Sequence, residues 1–294
     1  KSLIIGGSGM IGSYLTKTCE SQGYETEFTY FQKKSSNEHG IFLDITKRET
    51  TVQLIKKIAP DIVFLTSAIT NVDLCETNTD LAKRTNITGT QNVVDGCKTT
   101  GSKLVYFSTS AVFDGTKSEY SELDETHPAN NYGLTKLLGE EIIKKSELPF
   151  LIIRTDQPYG WTEKWQRTNS VMRVIENLKN NTFFNEITNW YNTPTYIPDL
   201  AITIMELVRN NLIGIFHVVG SDFLSRYDCA LLIAEIFDLN KKLLKQINSS
   251  ELKLQAKRSN VNLSNKKLFQ KTGIRMLGFK DGLKKMLEEK KIWE

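Results

Sequence analysis

Residues 3–15 read LIIGGSGMIGSYL: an apolar run breaks into glycines and then resumes with helical periodicity. A strand that enters a glycine turn and opens a helix points backbone N–H groups and the positive end of the helix at one spot, a ready place for a pyrophosphate. The first glycine of such a turn permits the tight bend. The middle one lets a phosphate approach the backbone, and the last lets the helix pack on the strand. Gly6, Gly9 and Gly12 take these places, with Gly7 additional, and the spacing is Gly-x-x-Gly-x-x-Gly. Gly6, Gly9, Met10, Ile11 and Gly12 are therefore candidate cofactor-binding residues. No Gly-Lys-Ser/Thr follows, which excludes a P-loop.

Short apolar runs alternate with helical patterns through the first half of the chain. Candidate strands are SLIIGG, ETEFTYF, GIFLDI, DIVFLTS, KLVYFSTS and FLIIRT, with a further strand at Ile215 to Gly220. Helical patterns cover Met10 to Gln22, Thr50 to Ile58, Asp80 to Thr99 and Tyr132 to Ser146. Strands that are apolar almost throughout, alternating with helices, predict a parallel sheet covered on both faces. The expected class is α/β, a Rossmann-type doubly wound sheet with a smaller C-terminal substrate-binding lobe. The texture changes after Arg154. The division expected is residues 1–155 and 192–220 for the dinucleotide-binding domain, and 156–191 and 221–294 for the lobe.

The 294 residues carry a formal charge of only +4, with the signs interspersed, which makes no case for a nucleic-acid partner. No run of roughly 18 apolar residues is present, so no membrane span is expected. The N-terminus lacks a charged segment followed by a removable apolar stretch. Cys19, Cys75, Cys97 and Cys229 are scattered, as are His39, His127 and His217. Free thiols in a reducing cytoplasm are expected, and no metal site.

The second strand ends in TYFQKK. An acidic residue there would bind the ribose 2′-hydroxyl of NAD. Gln32, Lys33 and Lys34 stand in its place, where a 2′-phosphate needs positive charge. NADP(H) is therefore expected to be preferred, with NAD(H) possible.

NNYGLTKLLGEE places Tyr132 and Lys136 four residues apart, on one face of a predicted helix. A free phenol titrates near ~10, and a neighbouring cation lowers that value. The pair therefore reads as a general acid/base. YFSTSAVFDG puts Thr109 at the C-terminal end of the preceding predicted strand, where open α/β sheets bind ligands. Its hydroxyl can reach a substrate oxygen beside Tyr132.

With GGSGMIG, TNVDLCE, RTNITGTQNVV, FSTSAVFDG, YGLTKLLGE, IIRT, PTYIPDLA and RSNVNLSNKKL all in order, the chain resembles an extended short-chain dehydrogenase/reductase. Within that superfamily it is most similar to the dTDP-4-dehydrorhamnose reductase group. The resemblance implies NAD(P)H on the first domain and a nucleotide-sugar beneath the lobe. It implies Thr109, Tyr132 and Lys136 as catalytic residues for reduction of a C4 ketone in a 4-keto-6-deoxy sugar. Asp44 would accept from the adenine amino group, with Ile45 beside it. Ser67, Ala68, Ile69, Asn86 and Pro158 would also border the cofactor. Thr70 and Val72 would approach the sugar, and Arg258 the diphosphate. Homodimers are frequent in the superfamily.

The chain departs from the group at the substrate side. Ser110 and Ala111 stand where the reductases usually carry Asp-Tyr, and Gln157 stands where they often carry tryptophan. These three are candidate substrate-binding residues, and the departures leave the identity of the sugar open. Two other readings stay open: a 4-epimerase with tightly held NAD, and a non-catalytic NADP-binding regulatory subunit such as the β subunit of methionine adenosyltransferase.

Overall fold

The computed structural model describes residues 1–32 and 39–293, with side chains through residue 289. Strands β1 (Ser2–Ile5), β2 (Thr26–Tyr30), β3 (Ile41–Phe42), β4 (Ile62–Leu65), β5 (Lys103–Thr109), β6 (Phe150–Thr155) and a seventh, Gly214–His217, form one sheet. Its order is seventh, β6, β5, β4, β1, β2, β3, and every pairing is parallel. The order reverses between β1 and β4, and such a reversal opens a crevice at the carboxyl ends of the strands.

The near-continuous apolar strands follow from burial on both faces, because successive side chains point to opposite sides. Ile4, Phe64, Val105, Phe107 and Ile153 face one core with Leu15 and Cys19, joined by Leu200 and Ile204 of the helix Ile197–Arg209. Their strand neighbours Leu3, Ile5, Val63, Leu65, Leu104, Tyr106 and Ile152 face the other core, with Ile55, Val93, Cys97 and Ile143. A further apolar cluster gathers Val171, Val174 and Ile175 of helix Ser170–Lys179 with Ala230 and Ile233 of helix Arg226–Ile236 and Leu283 and Met286 of helix Phe279–Trp293. Leu268 and Met276, late in the chain, pack into the first sheet core.

Two expectations change in detail. The strand expected in GIFLDI is only two residues long, Ile41–Phe42, because it pairs β2 over just two positions at the sheet edge. The single helix expected over Asp80 to Thr99 is divided into Thr79–Lys83, a π turn at Arg84–Thr88, and Gly89–Thr100. π turns often sit at functional positions, and this one carries Asn86. All four cysteines are free, as expected. Among the described residues no helix is long and apolar enough to cross a membrane.

Candidate active site

The glycine turn meets its requirements sterically. Gly6 sits at φ +94°, and a Cβ there would lie 2.5 Å from Ser67 Oγ. A Cβ on Gly12 would lie 2.2 Å from the Gly6 carbonyl oxygen, so only glycine lets the helix Met10–Ser21 start this close to β1. The Gly6 N–H donates to Thr29 Oγ1 at 3.1 Å, and the Gly9 N–H donates to the Gly6 carbonyl at 3.0 Å. Gly9 is the exposed N-cap of that helix, and no side chain caps it. The first helical N–H groups, including those of Met10 and Ile11, are thus left for an outside acceptor. A pyrophosphate fits this cradle.

Ser67, Ala68 and Ile69 lie half-buried across the crevice, after β4, and Thr70 is exposed. Asn86 fixes this loop. Its Oδ1 accepts from the Ile69 N–H at 2.8 Å, and its Nδ2 donates to the Ile69 carbonyl at 3.1 Å and to Thr135 Oγ1 at 3.0 Å. The side chain is fully buried. Asn86 therefore holds the loop after β4 from behind. Cys75 Sγ also approaches the Ile69 carbonyl, at 3.5 Å.

The acid/base residues come together through one close approach. Asn130 caps the helix Asn131–Lys144, its Oδ1 accepting from the Gly133 N–H at 2.9 Å. A Cβ on Gly133 would lie 2.0 Å from the Ala111 carbonyl oxygen, so glycine lets the helix start touch the turn after β5. This brings the Tyr132 phenol beside the Thr109 side chain, which acts to lower its pKa. Thr109 Oγ1 also accepts from the Ala111 N–H at 3.2 Å.

Burial raises the Tyr132 phenol to about 12; the Thr109 side chain opposes this, and the nearby Cys75 and Asp156 add to it. Burial pushes the Lys136 ammonium down to about 7, against the pull of Glu140 and Cys75. The acidified phenol expected from the i, i+4 spacing is thus not the net effect: desolvation outweighs the one opposing influence, the Thr109 side chain, and Lys136 is not among the groups that shift the phenol. Tyr132 is a protonated donor at neutral pH. Lys136 Nζ lies 3.9 Å from the centroid of the Tyr106 ring. One turn on, Glu140 is fully buried and pairs with Arg154 through Nε–Oε1 at 3.0 Å and Nη2–Oε2 at 2.7 Å. Ser108 Oγ completes its shell at 2.5 Å.

The substrate-side candidates are placed differently. Ser110 Oγ turns inward and donates to Asp156 Oδ1 at 2.8 Å. Asp156 Oδ2 accepts from the Thr193 N–H at 2.9 Å, from Thr193 Oγ1 at 3.3 Å and from Asn192 Nδ2 at 3.4 Å. Burial raises the Asp156 carboxyl while these donors lower it. Asp156 thus ties the end of β6 to the 192–195 segment and to the Thr109 turn. Ala111 is half-buried beside it. Gln157 has φ +37° and lines a hollow with Asn192, Pro194, Arg226 and Phe279. Pro158 pairs with Thr195 in a two-residue ladder. Val72 opens the helix Val72–Thr77, and the next residue, Asp73, binds Arg258: Oδ2 accepts from Nη2 at 2.8 Å. Arg258 Nη1 donates to the Ala256 carbonyl at 2.8 Å, and its guanidinium carbon lies 5.7 Å from the Trp190 ring centroid.

At the far end of the cofactor groove, Asp44 Oδ1 accepts from the Thr46 N–H at 2.9 Å and Thr46 Oγ1 at 2.7 Å. Ile45 turns into the core against the helix Gly89–Thr100. Gln32 is exposed at the end of β2, and Lys33 and Lys34 lie outside the described residues. Sequence reasoning missed Asp156, Glu140, Arg154 and Asp73. Their partners are far away in the chain, so no local spacing marks them. The one available signal was the charged Arg154 and Asp156 closing the otherwise apolar run FLIIRTD; Glu140 and Asp73 sit on helices with no such mark.

A family profile described as the RmlD substrate binding domain matches residues 1–292. A dTDP-4-dehydrorhamnose reductase from Aggregatibacter actinomycetemcomitans is 28% identical, covering 96% of this chain and 96% of its own length. The mouse methionine adenosyltransferase 2 subunit beta is 26% identical over 97% of this chain and 86% of its own. The crystal structure of the dTDP-4-dehydrorhamnose reductase from Bacillus anthracis str. Ames in complex with NADP superposes with a TM-score of 0.89 at 28% identity, covering 98% of each chain. With its switch-point crevice, glycine turn and Thr–Tyr–Lys arrangement, the chain belongs to the RmlD substrate-binding-domain family and is a dTDP-4-dehydrorhamnose reductase-like protein on an NAD(P)-dependent oxidoreductase fold.

Proposed function

We propose that this protein is an NADPH-dependent reductase of the C4 ketone in a nucleotide-activated 4-keto-6-deoxy sugar. The observation that carries the reading is the Tyr132 phenol beside the Thr109 side chain at the carboxyl end of β5, next to the crevice at the strand-order reversal. Bound NADPH supplies a hydride. The chain's own residues do the rest. Thr109 orients the sugar carbonyl. Tyr132, a phenol that keeps its proton at neutral pH, gives that proton to the developing alkoxide. Lys136 in its charged form holds the nicotinamide ribose and offsets the phenolate left on Tyr132. Gly9, Met10 and Ile11 present their N–H groups to the pyrophosphate, and Ser67, Ala68 and the Asn86-held Ile69 peptide border the groove.

Lys33 and Lys34 are assigned to the 2′-phosphate, so the Michaelis constant for NADPH is expected to lie below that for NADH. The sugar lies between Thr70, Val72, Ala111 and Gln157, with Ser110 acting through Asp156. Arg258 faces the diphosphate while anchored on Asp73. The division into residues 1–155 with 192–220 and residues 156–191 with 221–294 belongs to the same reading. It is supported by the separate apolar cluster of the helices Ser170–Lys179 and Arg226–Ile236.

The decisive experiment is turnover of 4-keto nucleotide-sugars with NADPH. Tyr132→Phe is expected to lower kcat by about 10²–10⁴-fold while NADPH binding is kept. The matches to methionine adenosyltransferase 2 subunit beta favour a second reading, a regulatory subunit without turnover. No NADPH consumption by the wild type with any such sugar, together with stable capture of a partner enzyme, establishes the second reading and removes the first.

A further inference from the structure

The segment from Trp161 to Asn169 lies along the first turns of the glycine-turn helix. Tyr14 Oη donates to the Trp161 carbonyl at 3.2 Å, and Lys17 Nζ lies 4.0 Å from Glu163 Oε1. Asn169 reaches both ways: its Oδ1 accepts from the Met172 N–H at 3.0 Å, capping the helix Ser170–Lys179, while its Nδ2 lies 2.7 Å from the Gly160 carbonyl and 3.5 Å from Met10 Sδ.

Gln166 is the central contact. Its Oε1 accepts from the Glu163 N–H at 3.1 Å, which leaves Nε2 as the end that meets the turn. Nε2 donates to the Ser8 carbonyl at 3.1 Å and to Ser13 Oγ at 3.0 Å. A primary amide has two N–H donors, and both are used here on the glycine turn and the first turn of its helix. Ser8 and Met10, the residues on either side of Gly9, are thus both touched from this segment. Within it, the Trp165 indole N–H is buried with no acceptor among the described residues. Leaving a buried donor without an acceptor is unfavourable.

We propose that the Trp161–Asn169 segment is a wall of the pyrophosphate site and that Gln166 is its positioning residue. The carboxamide fixes the Ser8 peptide and the Ser13 hydroxyl, and so aims the Gly9–Ile11 N–H groups at the anion. The inference rests on the dinucleotide reading above and goes beyond the glycine turn itself, because it makes a residue of the smaller lobe part of the cofactor grip. A neutral donor is needed there. A carboxylate at the same place meets the Ser8 carbonyl with no proton to give and repels the pyrophosphate.

The test is the dissociation constant of NADPH and of NADH, read by cofactor fluorescence on the full chain. Gln166→Ala is expected to weaken both by about 5–10-fold, the equivalent of one hydrogen-bonded contact. Gln166→Glu, nearly isosteric, is expected to weaken both further. The two cofactors lose alike because each carries the pyrophosphate, whereas Lys33→Ala changes NADPH alone. At saturating cofactor, kcat of the Gln166 variants stays within about twofold of wild type, which a global packing defect does not allow. Ser13→Ala removes the far end of the contact, together with that hydroxyl's own bond to the Met10 carbonyl at 3.0 Å, and weakens binding in the same direction, so the inference stays testable if a Gln166 variant fails to fold. Unchanged constants in Gln166→Ala, or equal losses for Ala and Glu, overturn it. If the wild type binds neither dinucleotide, the functional reading falls with it, and that outcome is distinct from the first two.

Discussion

At the glycine turn, geometry is set by steric closeness: the Gly6 carbonyl against Gly12, Ser67 against Gly6 and Phe28 against Gly7 all come within 3 Å of where a side chain would begin. On the opposite rim, geometry is set by side chains from separate segments: Ser110 and Asp156, Asn192 and Thr193, Asp73 and Arg258. The first kind of construction is steric and tolerates almost no substitution. The second is assembled across the chain and adjusts one hydrogen bond at a time. A chain built this way can keep its glycine turn unchanged while the opposite rim varies, and it is on that rim that Ser110, Ala111 and Gln157 depart from the reductases the sequence resembles.

Three measurements sharpen or break this contrast. The largest effect is expected from Gly12→Ala. Its methyl must displace the Gly6 carbonyl, and overpacking of that kind costs about 1–3 kcal/mol, or about 5–150-fold in NADPH affinity. Titration with NADPH checks this; affinity kept near wild type shows that the turn is not the rigid side.

The second is a pH profile. A lysine pushed down to about 7 is charged below that pH and loses its proton above it. Activity that needs the Lys136 ammonium should therefore decline as pH rises through about 7. Lys136→Arg, which keeps its charge at all these pH values, should lose this alkaline limb even at reduced kcat. Stability runs the opposite way: burial of the charged lysine is a full cost below about pH 7, and that cost fades as pH rises from about 7 towards the ordinary lysine value of 10.5.

The smallest effect is expected from Ser110→Ala, which takes one donor from the buried Asp156. A loss of about 1 kcal/mol in stability, with a several-fold rise in the sugar KM and no change for NADPH, is the expected pattern. A change in cofactor affinity instead joins the two rims that the structure keeps apart.

The same contrast explains what was legible in the sequence. The doubly wound sheet could be read because each strand is buried on both faces, which writes apolar residues at consecutive positions. The turn could be read because sterics leave glycine no substitute. Thr109, Tyr132 and Lys136 could be placed because a strand end and one helix carry them. The ionisation of the pair could not, since spacing places the two groups on one face but does not reveal the desolvation that raises the phenol and lowers the lysine. Nor could Asp156, Glu140–Arg154 or Asp73–Arg258, which form only when distant segments fold together. Arg258 was assigned by resemblance to a phosphate; its carboxylate partner inside the chain was invisible.

The π turn at Arg84–Thr88 has a consequence for how this protein tolerates insertion and deletion. The wider turn shifts the angular phase between the helical stretches on either side of it. Removing a single residue there, although it would restore a regular helix, would rotate Asn86 off its bearing by about a hundred degrees. The Ile69 peptide would then lose two of its tethers in one event. A length change that looks harmless in a surface alignment would thus slacken the crevice lining from the rear.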